Sequence, residues 1–388
     1  LNLIIFIGSA TAFFASTTGL FQNDMKRVIA YSTCSQLGYM VFACGLSSYE
    51  VGVFHLSNHA FFKALLFLGA GSVIHAISDE QDMRKMGGLR KLLPFTYAIM
   101  LVGSLALMGF PFLTGFYSKD TILEVAYAKY TIWGHFSYYL GTFAAFFTAF
   151  YSIRLLFLVF LSEPNGSKSV ILNAHEGSWR MTFPLFLLSI FSITIGFLTR
   201  DLFIGFGTDF WGAAIFVLPQ NYVLSDIEFI DLFHKLLPLI VTLSGSFYAY
   251  FLYSINLEHF YEVKKTKIFK VFYNFLNRKW YFDRVYNQLI GQQSLNISYN
   301  FSYKSLDRGI IEKLGPSGII SSIRYTINHL NNLQSGQIYH YLFLFLIFSV
   351  IFLFITICFN NMFLSLNIVV FLFLLNSLIF SDSDSKSI

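Results

Sequence analysis

Charge is scarce in this chain. Only 12% of its 388 residues are Asp, Glu, Lys or Arg, against 55% hydrophobic. A soluble domain carries about 25% charged residues, and a single soluble core cannot hide this much apolar surface. A mean hydropathy of +0.60 suits a chain that uses a bilayer as its apolar solvent. Cysteine is scarce as well. Cys34, Cys44 and Cys358 form no CxxC or ligand-spaced cluster, and all three lie in apolar stretches. That excludes the usual patterns of iron–sulfur and structural zinc sites and leaves buried thiols. No G-x-G-x-x-G follows a strand and no phosphate loop occurs, so the sequence offers no nucleotide site. The apolar residues 1–21 lack a basic n-region, so no cleavable signal peptide is evident.

What the chain does have is long apolar runs. A spanning helix needs about 20 mostly apolar residues. Nine segments qualify, at about 1–21, 28–47, 51–76, 95–128, 132–160, 181–200, 235–256, 338–358 and 362–380. The expected fold is all-α, a polytopic transmembrane helical bundle. Its loops alternate in sign. Lys26 and Arg27, then Arg84, Lys85, Arg90 and Lys91, then Lys168 and Arg180 fall on one side, with a basic stretch from Lys264 to Arg324. Glu50, Asp201, Asp209, Asp226, Glu228 and Asp231 fall on the other. The basic loops are expected to face the matrix or cytoplasm.

Segment 257–337 is more polar, yet Trp280, Phe282, Val285, Tyr286, Leu289 and Ile290 recur at helical intervals, as do Leu306, Ile310, Ile311 and Leu314. The pattern predicts an amphipathic helix lying along a membrane or neighbouring subunits, broken or kinked at Pro316. An ordinary loop domain with short helices is the alternative.

Several residues do not belong in hydrocarbon. In VFHLSNHAFFKALLF, His55, His59 and Lys63 are spaced i, i+4, i+8 and share one helix face, with His75 near the basic-side end. Burial makes an ammonium easier to discharge, and imidazole titrates near neutrality. Such a row, joined by waters, can pass protons along a span. Intramembrane ionisable groups are functional hypotheses by default. The bland alternative is that the histidines bond to neighbouring helices and the lysine is paired structurally. LVGSLALMGFPFLTGFYSKDTILEVAY is too long for a simple span, and Gly109, Pro111 and Gly115 interrupt it. Discontinuous helices place helix ends at mid-membrane, beside ion sites. Lys119 follows the break, and Asp120, about 100° away round the helix, need not pair with it. Ser32, Thr33, Ser35 and Gln36 are neutral groups that hold water or bond between helices. Arg154 reads as a snorkelling side chain at the basic end.

The same stretches carry a resemblance. QNDMKRVIAYSTCSQLGYM, FHLSNHAFFKALLFLGAGSVIHAISDEQDMRKMGGL and GFPFLTGFYSKD are similar to the second half of the antiporter-like subunits of respiratory complex I, which share these motifs with Mrp-type sodium/proton antiporters. LQSGQIYHY at 333–341 resembles the end of the mitochondrial subunit-5 group, and the likeness extends from residue 1 to about 358. The family fold has two inverted five-helix repeats, each with a broken helix. By resemblance, residues 1–160 are the second repeat and 161–256 add two spans. A long matrix-side lateral helix falls at about 281–330 within 257–337, and 338–388 holds an anchor span, an extra span at 362–380 and a polar tail.

The resemblance implies a proton-translocating membrane-arm subunit of the mitochondrial inner membrane, coupled to NADH:ubiquinone electron transfer in other subunits. Lys63 matches the central proton-carrying lysine, His55 and His59 connect it toward the next half-channel, and Lys119 with Asp120 belongs to the exit. No cofactor is implied for this chain. FMN, iron–sulfur clusters and ubiquinone are expected in other subunits, and a lipid such as cardiolipin is compatible with this one. Expected partners are neighbouring antiporter-like subunits, membrane lipid and no nucleic acid. The family's first repeat has no counterpart here, which implies the C-terminal half of a split subunit, its first repeat on a separate chain. A non-standard start at Leu1 or a piece of one longer subunit are the alternatives. Competing functions are a structural clamp acting through the lateral helix and an Mrp-type antiporter subunit. The segment ending in LQSGQIYHY argues against the second.

Overall fold

The computed structural model describes residues 1–205, 207–255, 262–333 and 335–360. They form two compact units, Leu1–Val285 and the chain from Tyr286 onward. Among the described residues six helices are long and apolar enough to cross a membrane. The expected span at 362–380 lies outside the described residues.

The first unit begins with α1 (Asn2–Gly19), α2 (Met25–Gly45), α3 (Tyr49–Ala76), α4 (Pro94–Met108), α5 (Thr114–Ala128) and α6 (Ile132–Leu156). The short α7 (Lys168–Leu172), then α8 (Trp179–Ile204), α9 (Leu232–Ser254) and α10 (Lys267–Asn277) follow. α2 has the length of a span, but it is not among the six apolar ones. It buries Ser32, Ser35 and Gln36 against its neighbours, so its polarity is turned inward. α1 packs on α2 and α6, α3 on α2, α4 and α8, and α9 on α6.

Among the described residues two large apolar clusters, with a smaller one of Leu65, Ile99 and Leu185, hold this unit together. One gathers Met25, Val28, Phe62, Met83, Leu89 and Phe160 near the basic loops. The other gathers Ile5, Phe42, Val51, Ile122, Tyr138 and Ile227 toward the opposite end. Buried apolar side chains of this size stabilise by about 1.5–3 kcal/mol each. The basic loops are tied to each other at one end: Met83 N–H donates to Asn23 O at 3.0 Å and Asn165 N–H to Met86 O at 3.1 Å. At the other end Lys129 Nζ donates to Asn221 Oδ1 at 3.2 Å. The alternation of charge along the sequence therefore corresponds to two physical ends.

The long fourth span is two helices of 15 residues each, α4 and α5. Fifteen residues rise about 22 Å, less than the roughly 30 Å of a hydrocarbon core. Gly109 stops α4 with φ +85°. Phe110 N–H donates to Leu105 O at 3.0 Å and Gly109 N–H to Ala106 O at 3.2 Å, the bonding of a Schellman ending. Only glycine takes this left-handed conformation without strain. Pro111, which has no N–H to give, sits in the turn before α5 begins. Gly115 lets the first turn of α5 rest on the Ala106 carbonyl, where a Cβ would collide.

The second unit, with Phe282–Val285 leading into it, is a helical run over 282–314, then α11 (Pro316–Leu333) and α12 (Ile338–Asn360). Two expectations need correction. Trp280 is not on the amphipathic stripe. It sits in a left-handed turn with φ 54° and ψ 23°, edge-on to Phe14 at 5.3 Å. The α period also fails over Tyr286–Gly291 and Ile297–Ile311, which wind as wider π-type turns. Ser, Asn and Tyr, weak helix formers, dominate ISYNFSYKSLDRG, so little holds the tighter coil. The break expected at Pro316 falls at Gly315, with φ −92° and ψ −123°.

Candidate functional site

The row predicted on α3 is buried. His55, His59 and Lys63 are 1%, 5% and 5% exposed, too little for an ion to keep its water. His55 bridges three helices. Its Nε2 lies 3.0 Å from Gln36 Oε1 on α2 and its Nδ1 lies 2.8 Å from Ser118 Oγ on α5. With the Gln36 carbonyl facing it, Nε2 carries the hydrogen and Nδ1 accepts from Ser118. His59 follows, its ring 6.2 Å from that of His55 and edge-on to Phe62. Among the described residues its buried Nε2 has no hydrogen-bond partner, nor do the two amide atoms of Asn58 on the same face.

Lys63 completes the row. Its Nζ donates to Ile29 O at 2.7 Å and to Ser32 Oγ, both on α2, and it lies 5.5 Å from the Phe67 ring. No carboxylate lies within ion-pair distance of it among the described residues. The ammonium is held by dipoles rather than by a counter-ion, which leaves it free to lose and regain a proton without breaking an ion pair.

The broken helix supplies the second lysine. Lys119 is 1% exposed. Its Nζ donates to Thr148 Oγ1 on α6 at 2.9 Å and stands 5.4 Å over the Tyr39 ring. The side chains of Lys119 and Asp120 both border the bare Cα of Gly109, so the break makes room for them. Ser118, which holds His55, is the residue before Lys119. One turn of α5 thus joins the α3 row to the second lysine.

Other candidates fall elsewhere. His75 is exposed in the last turn of α3, three turns or about 18 Å beyond Lys63, and does not join the buried row. Thr33 donates back to Ile29 O, and Ser35 ties α2 to Ala12 O of α1. Both are packing groups here, unlike Ser32 and Gln36. Arg154 does not snorkel. It is 6% exposed and clamps the α1–α2 turn through Gln22 O at 2.7 Å and Asn23 Oδ1 at 3.1 Å.

Sequence reasoning passed over Asn58, Thr148, Tyr39 and Glu124. Asn58 shares the His55 face at i+3, a visible signal. Glu124 sits one turn after Asp120 on α5, in the field of Lys235 and Arg200, and its i+4 spacing was also readable. Thr148 and Tyr39 gave none, because only tertiary packing brings them to Lys119.

Comparison with known proteins agrees with this architecture. Residues 1–148 match the family described as NADH:quinone oxidoreductase/Mrp antiporter, transmembrane. Residues 213–357 match the NADH dehydrogenase subunit 5 C-terminus. The chain is 56% identical over 350 residues to NADH-ubiquinone oxidoreductase chain 5 of Phytophthora infestans, covering 90% of this chain and 53% of that protein. It is 53% identical to the Marchantia polymorpha protein of the same name, over 91% of this chain and 53% of that one. Against the Acanthamoeba castellanii protein identity is 50%, over 100% of this chain and 58% of that one. The chain spans about half the length of the curated relatives it matches. A multi-pass helical bundle, a broken helix at Gly109–Leu113 and these two matched regions lead to one conclusion: this chain belongs to the antiporter-like membrane-subunit family that includes chain 5 of NADH-ubiquinone oxidoreductase.

Proposed function

We propose that this chain is a proton-translocating membrane-arm subunit of respiratory complex I in the mitochondrial inner membrane, with its basic loops on the matrix side. The observation that carries this reading is the double hydrogen bond of His55, to Gln36 and to Ser118, which links the Lys63 row to the broken helix bearing Lys119. Lys63 is the reservoir, since its dipolar partners can serve either the ammonium or the free amine. His55 and His59 are the connectors, because imidazole both gives and takes a proton across its ring. Lys119, with Asp120 beside it in the break, is the exit donor. Electron transfer from NADH to ubiquinone takes place on FMN and iron–sulfur clusters in other subunits, and its energy reaches this chain by conformation or electrostatics. Neighbouring antiporter-like subunits and membrane lipid surround it.

The test is Lys63→Ala in the assembled complex, read as proton pumping and as coupled turnover. Both are expected to fall severalfold with the complex intact. Wild-type pumping and turnover in that variant would sink the relay.

A further inference from the structure

The segment after α9 carries charge of one sign. Residues 263–282 hold Lys264, Lys265, Lys267, Lys270, Arg278 and Lys279 and no acidic residue. Within it α10 is capped by Thr266, whose hydroxyl accepts from Phe269 N–H at 3.4 Å. At about 100° per residue, α10 has three distinct faces. Phe269, Tyr273 and Leu276 share the one that rests on the protein. Leu276 is 2% exposed, and Phe269 and Tyr273 meet the Phe21 ring edge-on at 5.9 and 5.3 Å. Lys267, Lys270 and Asn274 share a polar face. Ile268, Val271 and Phe272 share the third, and they are 86%, 72% and 53% exposed.

The depth of α10 decides what meets that third face. Phe21 follows the end of α1, where the chain leaves an apolar span on the basic-loop side. Gln22 Nε2 donates to Asn277 O at 3.1 Å, so α10 is tied to the same turn at its far end. It therefore lies at the level where a span ends, at the boundary between acyl chains and headgroups. An apolar edge this open marks a contact surface, and a basic helix with a wide apolar arc is the pattern of a helix seated at that boundary. Lysine stems reach from such a helix to the headgroups. Burial first, and then the charges of Arg154 and Arg84, push the Lys264 ammonium below the usual lysine range, so the field at this end is positive.

We infer that α10 is an interfacial anchor for anionic phospholipid. Ile268, Val271 and Phe272 enter the acyl chains, and Lys265, Lys267 and Lys270 bind the phosphates of the leaflet on the basic-loop side. A zwitterionic surface satisfies the apolar edge alone. An anionic surface satisfies both faces, because each lysine gains an attraction there that falls off within a Debye length. A helix of 11 residues is marginal in water by itself. Docking on lipid therefore steadies α10, and with it the α1–α2 turn held through Phe21 and Gln22.

Amide hydrogen exchange over 267–277 tests this in the intact membrane complex, held in detergent, in nanodiscs of phosphatidylcholine, and in nanodiscs of phosphatidylcholine mixed with phosphatidylglycerol. Exchange is expected to slow from detergent to phosphatidylcholine, and by about tenfold more in the mixed lipid. Raised salt removes that last increment. So does the combined Lys265→Gln, Lys267→Gln and Lys270→Gln variant, while Val271→Ser speeds exchange in both lipids. Exchange alike in detergent and in both lipids means that lipid does not cover the edge, and overturns the inference. Slowing alike in both lipids, indifferent to salt and to the lysine changes, leaves an apolar contact only and overturns the role of anionic lipid. The salt series uses the unaltered chain, so it decides the matter where the lysine variant does not assemble.

Discussion

Thr148→Val is the sharpest probe of the second lysine. Valine matches threonine in shape, so the change deletes one hydroxyl and leaves the packing of α6 in place. That hydroxyl does two things. It donates to Ala145 O at 2.7 Å, which fixes its orientation, and it accepts from Lys119 Nζ at 2.9 Å. Among the described residues it is the only hydrogen-bond acceptor of that ammonium, which the Tyr39 ring at 5.4 Å and the field of Asp120 also favour. A hydrogen bond to a charged group contributes about 1.5–3 kcal/mol, and a cation over a buried ring about 2 kcal/mol or less. Removing the acceptor therefore disfavours the charged form of Lys119 by about 1.5–3 kcal/mol, roughly a 10- to 150-fold change in its population. If Lys119 is the exit donor, pumping by the reconstituted complex, followed with a pH-sensitive dye, falls by at least tenfold. Thr148→Ser, which keeps the hydroxyl, stays near wild type. Thr142→Val on the same helix, whose hydroxyl donates to Tyr139 O of its own helix, is the control and stays near wild type. Pumping by Thr148→Val equal to that of the Thr142 control would refute the assignment of Lys119.

Two further outcomes concern the break and the basic loops. Gly115→Ala places a methyl against the Ala106 carbonyl at the α4–α5 contact; overpacking of this kind costs about 1–3 kcal/mol, and reduced amounts of assembled complex on native gels are expected, with normal amounts counting against a rigid contact there. The Arg84 guanidinium beside Asp82 holds its carboxyl below the usual aspartate range. Because the folded value is depressed, the stabilisation is present above the ordinary value of about 3.9 and is lost as pH falls through the folded one. The protection of the Met83 and Met25 amides, which bond Asn23 O and Gln81 O, measured relative to the intrinsic exchange rate at each pH, should therefore hold at neutral pH and fall below about pH 4, whereas Asp82→Asn should be less protected at neutral pH and lose that step.

Much of the membrane architecture was legible because the bilayer imposes simple rules. Apolar length marks a span, and basic loops mark one end. The break in the fourth span was readable from Gly109, Pro111 and Gly115, because glycine and proline have fixed backbone consequences at any depth. Arg154 was misread because a long cation near a span end snorkels by default, and nothing local shows that the α1–α2 turn offers it a carbonyl and an amide. The winding of 297–311 escaped because apolar spacing reports which face is greasy and says little about how tightly a weakly helix-forming stretch is coiled.

By itself, then, the sequence determined that the chain is a helical bundle with several membrane-span-length helices, where its fourth apolar segment breaks, and that His55, His59 and Lys63 share a face, since each follows from spacing along a single helix. Only the tertiary structure decided their partners. That His55 reaches both Gln36 and Ser118, that Lys63 rests on α2, and that Lys119 meets Thr148 all depend on contacts between residues 19 to 63 positions apart. Periodicity fixes the face a side chain occupies, whereas the group waiting across that face is set by how whole helices pack.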